Sequence, residues 1–407
     1  MPLLDGYVHP DFAEVAGKLL DQLPQRAPGG AAVCVMHEGR VLVDLWGGTR
    51  DRDGDPWRED TTAPSFSTTK GVVSTLLHIL VDRGLARYDD PVAKHWPEFA
   101  AEGKGGGPEP GDEPVRIRHV LCHEAGLYRM AEMVDGPREM LGWSHMVDRI
   151  AAARPAHAPG AAHGYHALTY GWLAGGLIER IAGRSLQTVL HEELVEPLGL
   201  DGAFIGMPDA ALHRRALLIH DDGISQPVAP VPAGWRGLPR RVTEGVLREF
   251  GMDLAEFRAA LMPFSEPFDW NARETVQAVI PAANGQFTAR SLARIYAMLG
   301  EGGKLDGQRL LSRRRLERIG EIQNRRRDRV LFLPMHWRLG FHRVFAFGAR
   351  APDGFGHFGY GGSGAWCDPV RRLAVAMTLN SGVGTPVGDL RIAAISRVVL
   401  QCLDRVR

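Results

Sequence analysis

Phe66-Ser67-Thr68-Thr69-Lys70 stands at the start of an apolar stretch with helical spacing. Residues three apart on a helix share a face, so Ser67 and Lys70 come within hydrogen-bond reach of each other. A serine hydroxyl is a weak nucleophile and needs a base beside it. Lysine can be that base where burial lowers its pKa from the usual ~10.4. A helix N-terminus also presents backbone N–H groups to a developing oxyanion. Two further segments carry chemistry. Gly164-Tyr165-His166-Ala167 puts a phenol in a glycine-bearing loop, where it can shuttle a proton near the Ser67 hydroxyl. Gly356-His357-Phe358-Gly359-Tyr360-Gly361-Gly362 runs into a strand, and its glycines let a substrate lie against the backbone.

The elements needed to position these groups are legible. Phe12 to Leu23 has helical spacing, and Ala31–Met36 with Val41–Trp46 form a hairpin across His37-Glu38-Gly39-Arg40. A helix is predicted from about Ser67 to Arg83, closed by Gly84. Gly103 to Pro114 is a surface loop by composition. Further helices are predicted at Tyr170–Ile181, Ala289–Leu299 and Val387–Leu403, and strands at Gly362–Cys367 and Leu373–Leu379. Trp337 to Phe347 has the pattern of paired strands. The expected fold is α+β: an antiparallel sheet flanked by helices and built from both chain ends (1–66 and 281–407). A helical domain (67–280) is inserted between them, with a variable, lid-like stretch at 208–280.

Here the sequence resembles the serine β-lactamase and penicillin-binding-protein superfamily. Ser67-x-x-Lys70, then Tyr165, then His357-x-Gly359 follow its motif order, most like class C β-lactamase-like proteins and family VIII carboxylesterases. Leu121-Cys122-His123-Glu124-Ala125-Gly126-Leu127 resembles the family's L-x-H-x-x-G-L turn, and Pro197-Leu198-Gly199-Leu200 also fits the family. The resemblance implies the β-lactamase/DD-peptidase-like fold and an acyl-enzyme mechanism without metal or cofactor. Ser67 attacks, Lys70 and Tyr165 share the base role, and the backbone N–H groups of Ser67 and Tyr360 hold the oxyanion. His357 and Gly359 then border the substrate. Phe66, Trp235, Met262, Phe264, Phe268 and Trp270 are further aromatic or apolar candidates for an acyl pocket.

Two departures narrow the substrate. Relatives acting on β-lactams or D-alanyl peptides usually carry Asn two residues after the tyrosine and Lys in the third motif. This chain has Ala167 and His357. The expectation is a serine carboxylesterase cleaving small or medium acyl esters. The alternatives are an acyltransferase using the same acyl-enzyme, a β-lactamase, a D-amino-acid peptidase or an amidase. A non-catalytic scaffold fits less well with Ser67, Lys70 and Tyr165 intact. His123 is read as a structural hydrogen-bonder near the site. Gly361-Gly362-Ser363-Gly364-Ala365 misses GxSxG at its last position and lies at a strand, not a strand-to-helix elbow.

Composition bounds the partners. The 407 residues hold 48 Lys plus Arg and 48 Asp plus Glu, so net charge is +0 and no global footprint for nucleic acid exists. Arg313–Arg315 and Arg325–Arg327 are interleaved with Glu317, Glu321 and Asp328, the pattern of a solvated face. The 4 Cys form no CxxC pair. The N-terminal stretch carries acidic residues rather than a signal-peptide pattern, and no run reads as a membrane span. A cytoplasmic protein acting on a small-molecule ester, with no nucleic-acid or membrane partner, is expected.

Overall fold

The computed structural model describes residues 3–25, 27–108, 112–219, 253–261, 267–381 and 389–406. Its frame is a seven-stranded antiparallel sheet. The strands are β1 (Leu4–Val8), β2 (Gly30–His37), β3 (Arg40–Gly48), β4 (His342–Arg343), β5 (Phe355–Phe358), β6 (Gly364–Asp368) and β7 (Leu373–Leu379). Their order across the sheet is β1-β3-β2-β7-β6-β5-β4, so the two chain ends meet where β2 pairs with β7. The predicted hairpin is present as β2 and β3. Strand β1 adds an edge that its largely exposed residues had not signalled.

Side-chain alternation explains why both faces are covered. From β2, Ala31, Val33 and Val35 point to one face with Leu373, Val375, Met377 and Leu379 of β7. There they meet Val15 and Leu19 of helix α1 (Ala13–Gln22) and Ile392, Ile395, Val399 and Leu403 of helix α5 (Arg391–Val406). Ala32, Cys34 and Met36 point the other way, with Ala374 and Ala376. That face packs against Leu292, Ile295, Tyr296 and Leu299 of helix α4 (Ala289–Gly300) and the core beyond it. Burial of both faces accounts for the near-unbroken apolar run of β2 in an antiparallel sheet.

The second layer is helical. Helix α2 (Thr68–Asp82) is buried along almost its whole length. It packs on helix α3 (Thr169–Ala182) and against β5. Gly183, with φ 66°, closes α3 in the left-handed conformation that glycine adopts freely. A small three-stranded sheet of Ala63–Pro64, Gln286–Phe287 and Ala203–Phe204 ties this layer to the chain leading into α2.

One expectation is corrected. Trp337 to Phe347 is not a pair of strands: His342 and Arg343 pair with Gly356 and Phe355 of β5, and Trp337 makes a single isolated bridge to Asn324. Its apolar residues instead turn inward individually, Trp337, Leu339 and Phe341 being fully buried. Among the described residues, no helix is long and apolar enough to cross a membrane.

Candidate active site

Ser67 is the residue before α2, the position where a serine usually turns back to cap the helix. Its side chain makes no such bond. The preceding Phe66 has φ 42°, a conformation costing of order 1–3 kcal/mol for a non-glycine residue and typical of functional sites. The turn is held on both sides. Ser65 N–H donates to Gly285 O at 2.9 Å, and Ser65 O accepts from Ser363 Oγ at 2.8 Å and from Thr68 N–H at 3.1 Å. The Ser67 hydroxyl is thereby left for other partners.

Those partners are Lys70 and Tyr165. Lys70 Nζ lies 2.9 Å from Ser67 Oγ, one helical turn away. It also donates to Ala167 O at 2.7 Å and Ala282 O at 2.9 Å. Tyr165 Oη donates to Ser67 Oγ at 2.7 Å, and the Lys70 amine sits 4.9 Å from the Tyr165 ring centre. Lys70 is fully buried, and burial pushes its pKa well below the usual lysine value, because a dry interior disfavours the ammonium. Burial pushes the Tyr165 phenol the other way, above the usual tyrosine value and against its hydrogen bond to Ser67.

The third segment closes the site from the sheet. His357 is buried on β5 and faces α2: a Cβ built on Gly71 of that helix would stand 3.4 Å from His357 Cβ. Burial holds its imidazole neutral with a pKa well below the usual range. Its Nδ1 lies 3.2 Å from Phe358 O, while its buried Nε2 has no hydrogen-bond partner among the described residues. Gly359 follows β5. A Cβ there would fall 2.4 Å from Ser65 O and 2.3 Å from Ser363 Oγ, so only glycine lets the strand end approach the Ser67 turn this closely. Among the described residues, the backbone N–H groups of Ser67 and Tyr360 donate no hydrogen bond.

Aromatic rings border the serine. Phe66 meets Trp270 and Tyr360 edge-on at 5.5 and 5.6 Å, and Trp270 meets Phe268 at 4.9 Å. Phe66, Trp270 and Phe268 therefore form one cluster. Trp235, Met262 and Phe264 lie outside the described residues.

Two side chains near Tyr165 escaped the sequence reading. Trp337 stacks on the Tyr165 ring at 5.8 Å with 8° between planes. Asp328, fully buried, accepts from Tyr165 N–H at 3.0 Å and from Trp337 Nε1 at 3.1 Å. Asp328 was hidden by its setting: Arg325, Arg326 and Arg327 before it are exposed, as expected, while Asp328 turns in. His123 is structural in geometry. It is buried with φ 59°, its Nδ1 accepts from His166 N–H at 3.1 Å, and its ring lies 4.9 Å from that of Tyr165.

A fold with a serine at the head of a buried helix, lysine one turn on, a loop tyrosine and a glycine-bearing strand edge defines a serine β-lactamase and penicillin-binding-protein architecture. The Beta-lactamase family profile matches residues 16–400, and the chain belongs to that family. Esterase/beta-lactamase LipL of Mycobacterium tuberculosis is 37% identical over 380 residues, 92% of this chain and 82% of that protein. A family VIII carboxylesterase structure superposes with a TM-score of 0.83 at 29% identity, covering 98% of this chain and 100% of that one. A penicillin-binding protein homolog from Caulobacter crescentus also gives 0.83, at 32% identity with the same coverage.

Proposed function

We propose that the protein is a serine carboxylesterase that cleaves small or medium acyl esters through an acyl-enzyme on Ser67. The observation carrying this reading is the contact run from Tyr165 Oη (2.7 Å) through Ser67 Oγ to Lys70 Nζ (2.9 Å). A neutral amine has two N–H groups and one lone pair. Its N–H groups match the carbonyls of Ala167 and Ala282, which leaves the lone pair for the Ser67 hydroxyl proton.

Ser67 Oγ attacks the ester carbonyl carbon as its proton passes to Lys70 Nζ. The carbonyl oxygen becomes an oxyanion, held by the Ser67 and Tyr360 N–H groups. Collapse breaks the bond to the alkoxy oxygen. Tyr165, kept as a phenol by burial, protonates the departing alkoxide, and the ammonium on Lys70 makes up that proton. Water then enters by the same route in reverse, releasing the acid and restoring Ser67.

The neutral His357 and the Ala167 side chain favour an uncharged ester over a substrate needing a fixed positive partner. The names of the esterase and carboxylesterase relatives support the same class. A fluorophosphonate probe tests the reading. It should form one adduct, on Ser67, and abolish turnover of a short-chain p-nitrophenyl ester. Full turnover after complete labelling, or labelling elsewhere, would refute it.

A further inference from the structure

We propose that Asp328 is a positioning residue for Tyr165, holding both the root of that residue and the plate on which its ring lies. This rests on the reading of Tyr165 as the proton-transfer phenol of the Ser67 reaction.

Tyr165 comes from a loop, yet its Oη must stay within hydrogen-bond reach of Ser67. Two independent constraints achieve this, and one carboxylate supplies both. Oδ1 of Asp328 accepts the Tyr165 backbone N–H at 3.0 Å, fixing the Cα. Oδ2 accepts the Trp337 indole N–H at 3.1 Å, and that indole lies parallel under the phenol. The carboxylate is itself anchored, since Oδ1 also accepts from Val330 N–H at 2.8 Å and Leu331 N–H at 3.0 Å. A parallel backbone bond from Arg329 N–H to His163 O at 3.0 Å ties the same two segments. His123 fills the remaining side, 4.3 Å from the Trp337 ring. His163 Nε2 stands 3.9 Å from Oδ2, and burial lowers its pKa to about 4, so it brings no charge at neutral pH.

The four groups bonded to Asp328 are all donors, and they offset part of the cost of burying the carboxylate, whose pKa burial still holds above the usual value. A carboxylate that served stability alone would not need one oxygen on the catalytic loop and the other on the ring beneath the phenol. The arrangement bears on rate, because misplacing a reacting group by about 1 Å costs on the order of 10²-fold.

The test is a double-mutant cycle. Asp328→Asn retains an acceptor for the three backbone N–H groups but turns an NH₂ towards the indole N–H, a donor facing a donor. On p-nitrophenyl acetate, with active sites counted by phosphonate titration, kcat should fall ~10- to 100-fold while KM changes less than about threefold. In a Tyr165→Phe background the same change should cost less than about twofold, because the hydroxyl to be positioned has gone. Trp337→Phe keeps a ring but loses the N–H, and should follow the same non-additive pattern with a smaller loss. It serves alone if the Asn variant does not fold. Unchanged kcat in the soluble variants, or losses that multiply in full with Tyr165→Phe, would overturn the positioning role. If Tyr165→Phe by itself left kcat unaltered, the proton-transfer reading would fall and this inference with it.

Discussion

The Lys70 amine is bonded at 2.7 Å to the carbonyl oxygen of Ala167, two residues beyond Tyr165. At the position where β-lactam-processing relatives usually carry an asparagine side chain, this chain uses its main chain to hold the Lys70 amine. The bond joins helix α2 to the tyrosine loop, so the Lys70 amine and the Tyr165 phenol share one frame. The amine is fully buried, and burial is the cause of its lowered pKa.

That environment predicts the pH dependence. In the proposed reaction Lys70 acts as a free amine, and its pKa in the folded protein lies well below the ~10.4 of an exposed lysine. Activity is present above the folded pKa and lost as pH falls through it. Between the two pKa values the unfolded chain binds the extra proton, so the cost of burying Lys70 shrinks as pH rises towards ~10.4. A kcat/KM profile for a short-chain ester should rise along a one-proton limb with its midpoint well below that value, then level off. A midpoint near 10.4 would contradict a buried neutral amine.

The three contacting groups should behave as a unit. Ser67→Ala is expected to reduce turnover by ~10⁴-fold or more with the fold retained. Lys70→Ala and Tyr165→Phe should each cost orders of magnitude in kcat, and the double variant should be little worse than either alone. Steady-state kinetics with circular dichroism as the folding control decide this. Strictly multiplicative losses would mean that the two groups act separately.

Ser67, Lys70, Tyr165, His357 and Gly359 were readable because each is a residue type whose chemistry its neighbours in sequence already frame. The helices and the two long hairpins were readable because their apolar periods match the faces they bury. Trp337 and Asp328 were not. Their roles depend on contacts with Tyr165 from more than 160 residues away, and no local period marks a side chain recruited singly. The apolar alternation of Trp337 to Phe347 suggested strands for the same reason: isolated inward turns imitate it. Strand β1 lies at a sheet edge with mostly exposed side chains, so little hydrophobic pattern announced it.

Gly71 offers a packing test. A Cβ there would lie 2.0 Å from Tyr296 Oη of helix α4 and 3.2 Å from Cζ. Gly→Ala inside a helix ordinarily gains up to ~1 kcal/mol. Forcing a buried group into filled space costs ~1–3 kcal/mol, so the clash should win. Gly71→Ala should lower the urea midpoint and reduce kcat, because α2 carries Ser67 and Lys70. Adding Tyr296→Phe removes the oxygen, relaxes the contact to 3.2 Å and should recover most of the stability. A single Ala variant as stable as the native protein would show that α2 and α4 are less tightly apposed.

The remaining prediction concerns substrate choice. His357 is buried, faces α2 and has an Nε2 with no hydrogen-bond partner among the described residues. Its imidazole is neutral, since burial depresses its pKa well below the usual range. A neutral imidazole offers a carboxylate a hydrogen bond but no opposite charge, whereas an ammonium supplies both. For a short-chain p-nitrophenyl ester, kcat/KM should therefore exceed that for nitrocefin by ~10²-fold or more, equivalent to ~2.7 kcal/mol of transition-state binding. His357→Lys should narrow the gap by improving nitrocefin turnover. A buried amine beside Lys70 is most fully charged at low pH, so the gain should be largest at the acid end of the active range. Native protein that hydrolyses nitrocefin as efficiently as the ester would refute the esterase assignment and favour β-lactam hydrolysis.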